Sequence, residues 1–362
     1  MRVKPKKLIF KVMENRKLKI IITAALIIAS SCNEPKTVVT DIVHSDGSIT
    51  RKIEMKNQEN KFETSDIQVP FDNTWTIRDS LEINEKGDTV WVKRAEKLFK
   101  DADEINMDYK VDSSANKEIS RRAAFSKKFR WFHTGYRFEE KIDKIMSYGY
   151  PASDFLSPEE LDWYYSPDNV KDQRKNGPDS LKFRALSDTV SNKSDKWWIK
   201  SIASEWIGEF TRLSGGKISK EVSTDSLKAR ENEIAKLIEE KGNKFDSLWA
   251  NGTILKQVFG NANALKYKEE ADSAMNMVMR DVFLNFKDYT LRIVMPGKVT
   301  GSNGFIDSSK ILLWPVNSDY FLTEPYDMWA ESKVPNKWAW IVSGLFLLFV
   351  VTGIIIKQKE KG

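Results

Sequence analysis

His133, Arg137, Glu139, Glu140 and Asp143 lie within one short, strongly aromatic stretch of the chain. Two nearby carboxylates can divide acid–base work, one kept protonated and the other ionised. On a glycosidic bond such a pair suffices for hydrolysis. Aromatic rings stack on sugars, and Trp163-Tyr164-Tyr165 and Trp197-Trp198 are further candidates to line a cleft. The same residues also fit a packed central strand with a solvated acidic edge, and an ordinary helical core. The residue types leave both readings open.

Other catalytic patterns are missing. Gly215-Gly216-Lys217 is not a phosphate-binding loop, because Thr211 replaces the first glycine and Ile218 the final hydroxyl residue. Gly297, Gly301 and Gly304 lack the dinucleotide spacing. Neither Gly-x-Ser-x-Gly nor His-Glu-x-x-His occurs. Cys32 is the only cysteine and His44 and His133 the only histidines. An intrachain disulfide is therefore excluded, and no structural metal site or cofactor is expected.

A different chemistry is suggested by repetition. Asp-Ser/Thr followed by an aliphatic residue occurs at Ser80, Thr89, Ser180, Thr189, Ser226, Ser247 and Ser273. Average residue usage gives roughly one or two such tripeptides in this length. The pattern resembles the O-glycan acceptor of Bacteroidetes-type exported proteins, which implies modification at these hydroxyls. Aspartate and serine also gather at helix starts as caps.

The ends of the chain bear on where this chemistry would operate. A basic segment precedes Ile20–Ala29, an apolar run too short to span a bilayer. Ala29-Ser30-Ser31-Cys32 follows, so residues 1–31 are expected to be a signal peptide with Cys32 lipidated. Ala29 stands where a lipobox usually has leucine. A plain signal peptide cut after Ser31, or an uncleaved anchor, is the alternative. Met13 heads a second segment of ordinary signal form and is the expected translation start. Trp338–Ile356 is uncharged throughout and roughly 28 Å long as a helix. Trp329, Trp338 and Trp340 cluster at its start, and Lys357, Lys359 and Lys361 follow it. Residues 338–356 are thus expected to be a transmembrane helix with 357–362 cytoplasmic. Ala339 and Ser343 form a small pair able to pack on another helix. The net charge of +6 comes from these ends. Residues 32–356 hold 47 basic and 50 acidic residues, so nothing in the overall balance favours nucleic acid.

The elements that must position these groups are legible in outline. Thr37–His44 and Ser48–Met55 flank Asp46-Gly47, a two-residue hairpin signal. Ile49, Arg51, Ile53 and Met55 share one face of the second strand. Residues 57–70 read as a polar loop. Another hairpin is expected from Thr74–Asn84 to Asp88–Leu98, and one aromatic central strand from Phe125 to Phe138. Helices are expected from Ser157-Pro158-Glu159-Glu160, over Asp179–Val190, Ser194–Leu213 (ended by Gly215-Gly216) and Asp225–Lys241, and near 262–280. Strands return over Phe283–Val294, Lys310–Val316 and Tyr320–Trp329, with turns at Pro296-Gly297 and Ser302-Asn303-Gly304.

The expected fold is α+β: a β-rich membrane-proximal body with a helical insert, plus one C-terminal transmembrane helix. Its parts are 32–156 (β-rich), 157–281 (helical insert) and 282–337 (β-rich). The layout resembles Bacteroidetes-type lipoproteins with a C-terminal transmembrane helix, a resemblance that implies no activity and no site residues. The expectation is an envelope protein of the bacterial inner membrane with its main domain in the periplasm. Membrane lipid and an envelope protein would be its partners, and binding or scaffolding its work. A periplasmic hydrolase or glycan-processing enzyme using Glu139, Glu140 or Asp143 is the alternative.

Overall fold

A computed structural model describes residues 36–58, 60, 62, 72–83, 87–111, 119–215, 222–241, 245–282, 284, 286–307 and 310–359. Cys32, the expected signal peptide and most of the expected 57–70 loop lie outside them.

The first hairpin forms as its alternation dictates. β1 (Lys36–Val43) pairs antiparallel with β2 (Ile49–Asn57), placing Asp41 opposite Arg51. The connection is one residue longer than expected: His44 N–H donates to Ser48 O, leaving Ser45-Asp46-Gly47 as the loop. Gly47 has φ +104°, a conformation natural to glycine. β3 (Thr76–Ile83) and β4 (Thr89–Phe99) form the second hairpin, and β4 also pairs with β2.

The sequence after β4 departs from expectation twice. A helix, α1 (Ala102–Val111), follows at once, started by the Asp101 side chain accepting from Glu104 N–H and the Glu104 side chain accepting from Lys100 N–H. The stretch read as one strand is then two: β5 (Arg121–Phe129) and β6 (His133–Ile142), joined by a tight turn at Trp131-Phe132. No glycine, proline or asparagine marks this turn. Its aromatic residues are explained by what they touch, the C-terminal helix.

Helices fill the middle. They begin with α2 (Pro158–Tyr165), capped by Ser157 and Glu160 as expected, and α3 (Asp168–Lys175). The two helices expected over 179–213 are one, α4 (Ser180–Ser214), since Ser191-Asn192-Lys193 contains no breaker. Gly215 ends it at φ +55°. The helix expected at 225–241 is broken at Arg230 into α5 (Thr224–Ala229) and α6 (Glu231–Lys241). α7 (Phe245–Ala250), α8 (Thr253–Phe259), α9 (Asn261–Lys266) and α10 (Lys268–Val282) complete the layer.

The chain then returns to strands: β7 (Tyr289–Val294), β8 (Lys298–Ser302), β9 (Phe305–Ile306), β10 (Leu312–Val316) and β11 (Tyr326–Pro335). β7, β10 and β11 each start later than expected, and residues 318–321 form a 3-10 turn. The fold is mixed α+β, with a helical segment between two β-rich parts. Its larger sheet runs β3-β4-β2-β1-β7-β10-β9 and the smaller β5-β6-β11-β8. Each sheet combines strands from before and after the helices. β1 and β7 lie parallel, 36–43 beside 289–294, so the body closes only once both ends of the chain are present.

The sheets share one core, in which Val39, Ile49, Ile53 and Met55 meet Phe138, Ile142, Met328 and Ala330. A second core lies among the helices around Trp197, Trp206, Phe210, Val258 and Phe259. α11 (Lys337–Lys359) leaves directly from β11. It is the one helix among the described residues long and apolar enough to cross a membrane, over Lys337–Gln358.

Candidate functional site

The expected carboxylate pair does not assemble. Neighbouring residues of a strand point to opposite faces, so Glu139 and Glu140 are separated by the sheet itself. Glu139 lies on the open face, where Arg137 Nε donates to it at 3.0 Å. Arg137 also bonds Glu331 at 2.9 Å and stacks over the Trp329 ring at 4.6 Å. Asp143 accepts from Ser120 Oγ at 2.7 Å. His133 opens β6 opposite Pro335, remote from the other members along the strand.

Glu140 faces inward and is buried, where it completes a charged cluster between the sheets. Arg51 projects from β2 into the core, as its place among Ile49, Ile53 and Met55 requires. Its Nε and Nη2 grip Asp41 Oδ1 and Oδ2, each at 2.7 Å. Nη2 also bonds Glu140 Oε1. Nη1 donates to Tyr109 Oη at 2.7 Å, and that hydroxyl donates to Glu140 Oε1 at 3.1 Å. Arg121 stacks on the Tyr109 ring at 4.5 Å. Tyr109, on the unexpected α1, is the member that strand reading missed. The Asp101-x-x-Glu104 capping pattern was the available signal.

One guanidinium here serves two carboxylates. Asp41 holds it bidentately, so burial dominates at Glu140 and the neighbouring Asp41 charge adds to it. Glu140 is pushed up to about 7 despite Arg51. Arg51 is itself held far above its ordinary range by the two acids, against the effect of burial. Burial raises the Tyr109 and Tyr289 hydroxyls. A carboxyl near 7 has the proton affinity of a general acid. Glu140, however, is locked into the joint between two sheets and does not line the groove described below.

That groove, about 700 Å³, lies on the outward face of the larger sheet. Thr40, Lys52, Glu54, Arg78, Arg94, Glu96 and Arg292 are among its lining residues. Its charges are largely matched across strands. Arg94 donates to Glu54 at 2.8 Å and bonds Glu82, while Lys52 lies 3.3 Å from Glu96. Arg94 draws Glu82 down to about 2. No group of three or more histidine, cysteine or acidic residues suited to a metal occurs among the described residues.

The candidate acceptor hydroxyls are scattered. Thr89, Thr189, Ser247 and Ser273 are exposed, and Ser80, Ser180 and Ser226 half-buried. Ser80 donates to Glu82 at 2.9 Å, and Thr189 donates to Ala185 O within α4. Trp163-Tyr164-Tyr165 and Trp197-Trp198 form packing contacts: Trp163 stacks on Phe183, Tyr164 meets Trp197 edge-on, and Tyr165 meets Tyr320 and Tyr326.

Comparison of the chain with protein-family models, curated proteins and solved structures gave no match. Its chemistry must therefore be read from its own geometry.

Proposed function

We propose that this chain is an exported envelope protein, anchored in the bacterial inner membrane by α11 with its body in the periplasm, and that it works by binding or scaffolding an envelope partner. The observation that carries this reading is the 22-residue stretch Lys337–Gln358 of α11, whose most apolar window has mean hydropathy 2.6 and is only 6% buried by the protein. Such a surface has no stable place in water, and a bilayer supplies the apolar solvent that covers it. The lysines after it favour a cytoplasmic end. Lipidation of Cys32 would add a second tether, and the exposed hydroxyls of the Asp-Ser/Thr tripeptides would carry glycans on the same side.

Binding is favoured over hydrolysis because the three carboxylates put forward for catalysis point in different directions, and the buried one is engaged in joining the sheets. The polar groove on the larger sheet offers a charged face to a partner. Confinement to one membrane raises the local concentration of such a partner without new contacts. Crosslinking in intact cells followed by gentle solubilisation should recover a stoichiometric envelope protein, and substitution of Arg78 and Arg292 by glutamate should weaken its capture. Recovery of a lone monomer with several crosslinker lengths would contradict the scaffolding role.

A further inference from the structure

The turn between β5 and β6 is built from residues that water does not favour. Phe129, Trp131 and Phe132 are 57%, 47% and 41% exposed, although each is large and apolar. A tight hairpin turn ordinarily carries glycine, asparagine or aspartate, and none is present. The three rings gather instead at the root of α11. Phe129 stacks on Trp338 with centroids 6.4 Å apart, Trp131 meets Trp338 edge-on at 5.2 Å, and Phe132 lies 4.4 Å from Trp340.

Polar contacts fix this arrangement rigidly. Asn336, the residue between β11 and α11, donates its side-chain N–H groups to Arg130 O at 2.7 Å and Trp131 O at 3.2 Å. Its backbone N–H reaches Phe132 O at 3.0 Å. Trp131 Nε1 donates to Ser343 Oγ at 2.9 Å. Ser343 is six residues along the helix from Lys337, which is about 9 Å at the helical rise. The indole therefore reaches from the first turn, at Trp338, to the second, at Ser343. The helix face that packs on the turn is small: Ala339 is fully buried, and Ser343 is half-buried. Of the small pair able to pack on another helix, Ser343 is thus engaged by the chain's own turn.

Charge surrounds the rings. Lys128, Gly135, Lys333 and Lys298 lie in register across all four strands of the smaller sheet, one pair beyond Phe129 and Thr134. Lys128, Lys298 and Lys333 are exposed, as is Arg130 beside Trp131. Aromatic rings below a row of lysines match the layering of a bilayer surface, where indoles sit at headgroup depth and cations meet phosphates.

We infer that the Trp131-Phe132 turn is a second membrane contact: it inserts beside α11 into the outer interfacial layer and, with the lysine row on the headgroups, fixes the tilt of the body on the membrane. This rests on α11 spanning the bilayer. The occupant of the aromatic face is lipid. A second copy of the chain is the competing occupant that the test must separate.

The test places a nitroxide at single cysteines in the full chain carrying Cys32→Ser, reconstituted in phosphatidylethanolamine–phosphatidylglycerol vesicles. Trp131→Cys and Phe132→Cys each retain the other ring, Phe346→Cys reports on the span, and Arg78→Cys reports on the distant groove. Oxygen and nickel-chelate accessibilities measure depth. The expected result is lipid-like access at 131, 132 and 346, with water-like access at 78. Lipid-like access at 346 with water-like access at both 131 and 132 overturns the inference and leaves the span intact. Water-like access at 346 removes the span reading itself. Spin–spin broadening at 131, diluted away by unlabelled chain, would assign the face to a second copy and likewise overturn the inference. Thermal unfolding of each variant confirms that the body is folded.

Discussion

The sandwich formed by the two sheets and the helical layer both bury carboxylates, and they hold Glu140 and Glu205 differently. In the sandwich, Glu140 shares the Arg51 guanidinium with Asp41 and tethers the smaller sheet to the larger. In the helical layer, Glu205 on α4 meets no cation among the described residues. It accepts backbone N–H groups from Ser147 at 3.0 Å and Tyr148 at 2.6 Å, holding the segment after β6 against the helix. Burial raises Glu205 as it does Glu140, and the two N–H bonds oppose that effect. Each acid stands at a joint between elements distant in sequence. A charge network joins the two sheets across their shared apolar core, while interlocked aromatic side chains pack the helices together. The sheets are thus joined at Glu140 through a shared cation, and the helical layer at Glu205 through backbone amides.

This contrast can be broken at several points. The largest effect is expected from Arg51→Met, which leaves two buried carboxylates without their cation. Loss of about 3–5 kcal/mol of stability should appear in urea unfolding. If it costs nothing, the cluster does not hold the sheets. Trp206→Ala should cost about 3–5 kcal/mol through the cavity left among Phe210, Trp249 and Phe259. Hydrogen exchange should show that loosening in α4 and α10 before β1 and β2. Glu205→Ala is expected to cost less, about 1–3 kcal/mol, because it strands two amides and no charge.

A smaller effect sharpens the comparison through pH. The folded state holds the Glu140 proton up to about 7, against an ordinary 4.5. Below 4.5 both states are protonated. Between 4.5 and 7 the unfolded chain releases the proton first, so this group's contribution falls as pH rises and is constant above 7. Glu140→Gln should remove that slope, measured as the difference in unfolding free energy between variant and parent across the window. An unchanged slope would mean that Glu140 is ionised throughout.

Much of the fold was legible because it obeys local rules. Alternation placed Arg51 on the inward face of β2, and Ser157-Pro158-Glu159-Glu160 marked the start of α2. The uncharged run gave α11 to within a few residues. What stayed hidden depends on distant partners. Arg-Trp-Phe-His reads as strand because its turn is stabilised by Asn336 and the α11 tryptophans, about two hundred residues away. The role of Glu140 was obscured for the same reason: nothing near it in sequence announces Arg51. Asp41 sits opposite Arg51 in the first hairpin, yet only the closing of two sheets shows that the pair is shared.

The central claim is that α11 lies in the bilayer with the body on the periplasmic side. Protease added to spheroplasts, followed by alkaline carbonate extraction, tests it most directly. Digestion of the body with a short α11 fragment retained in the membrane pellet is the expected result. A body left intact by the protease, or a full-length chain released by carbonate, would contradict it.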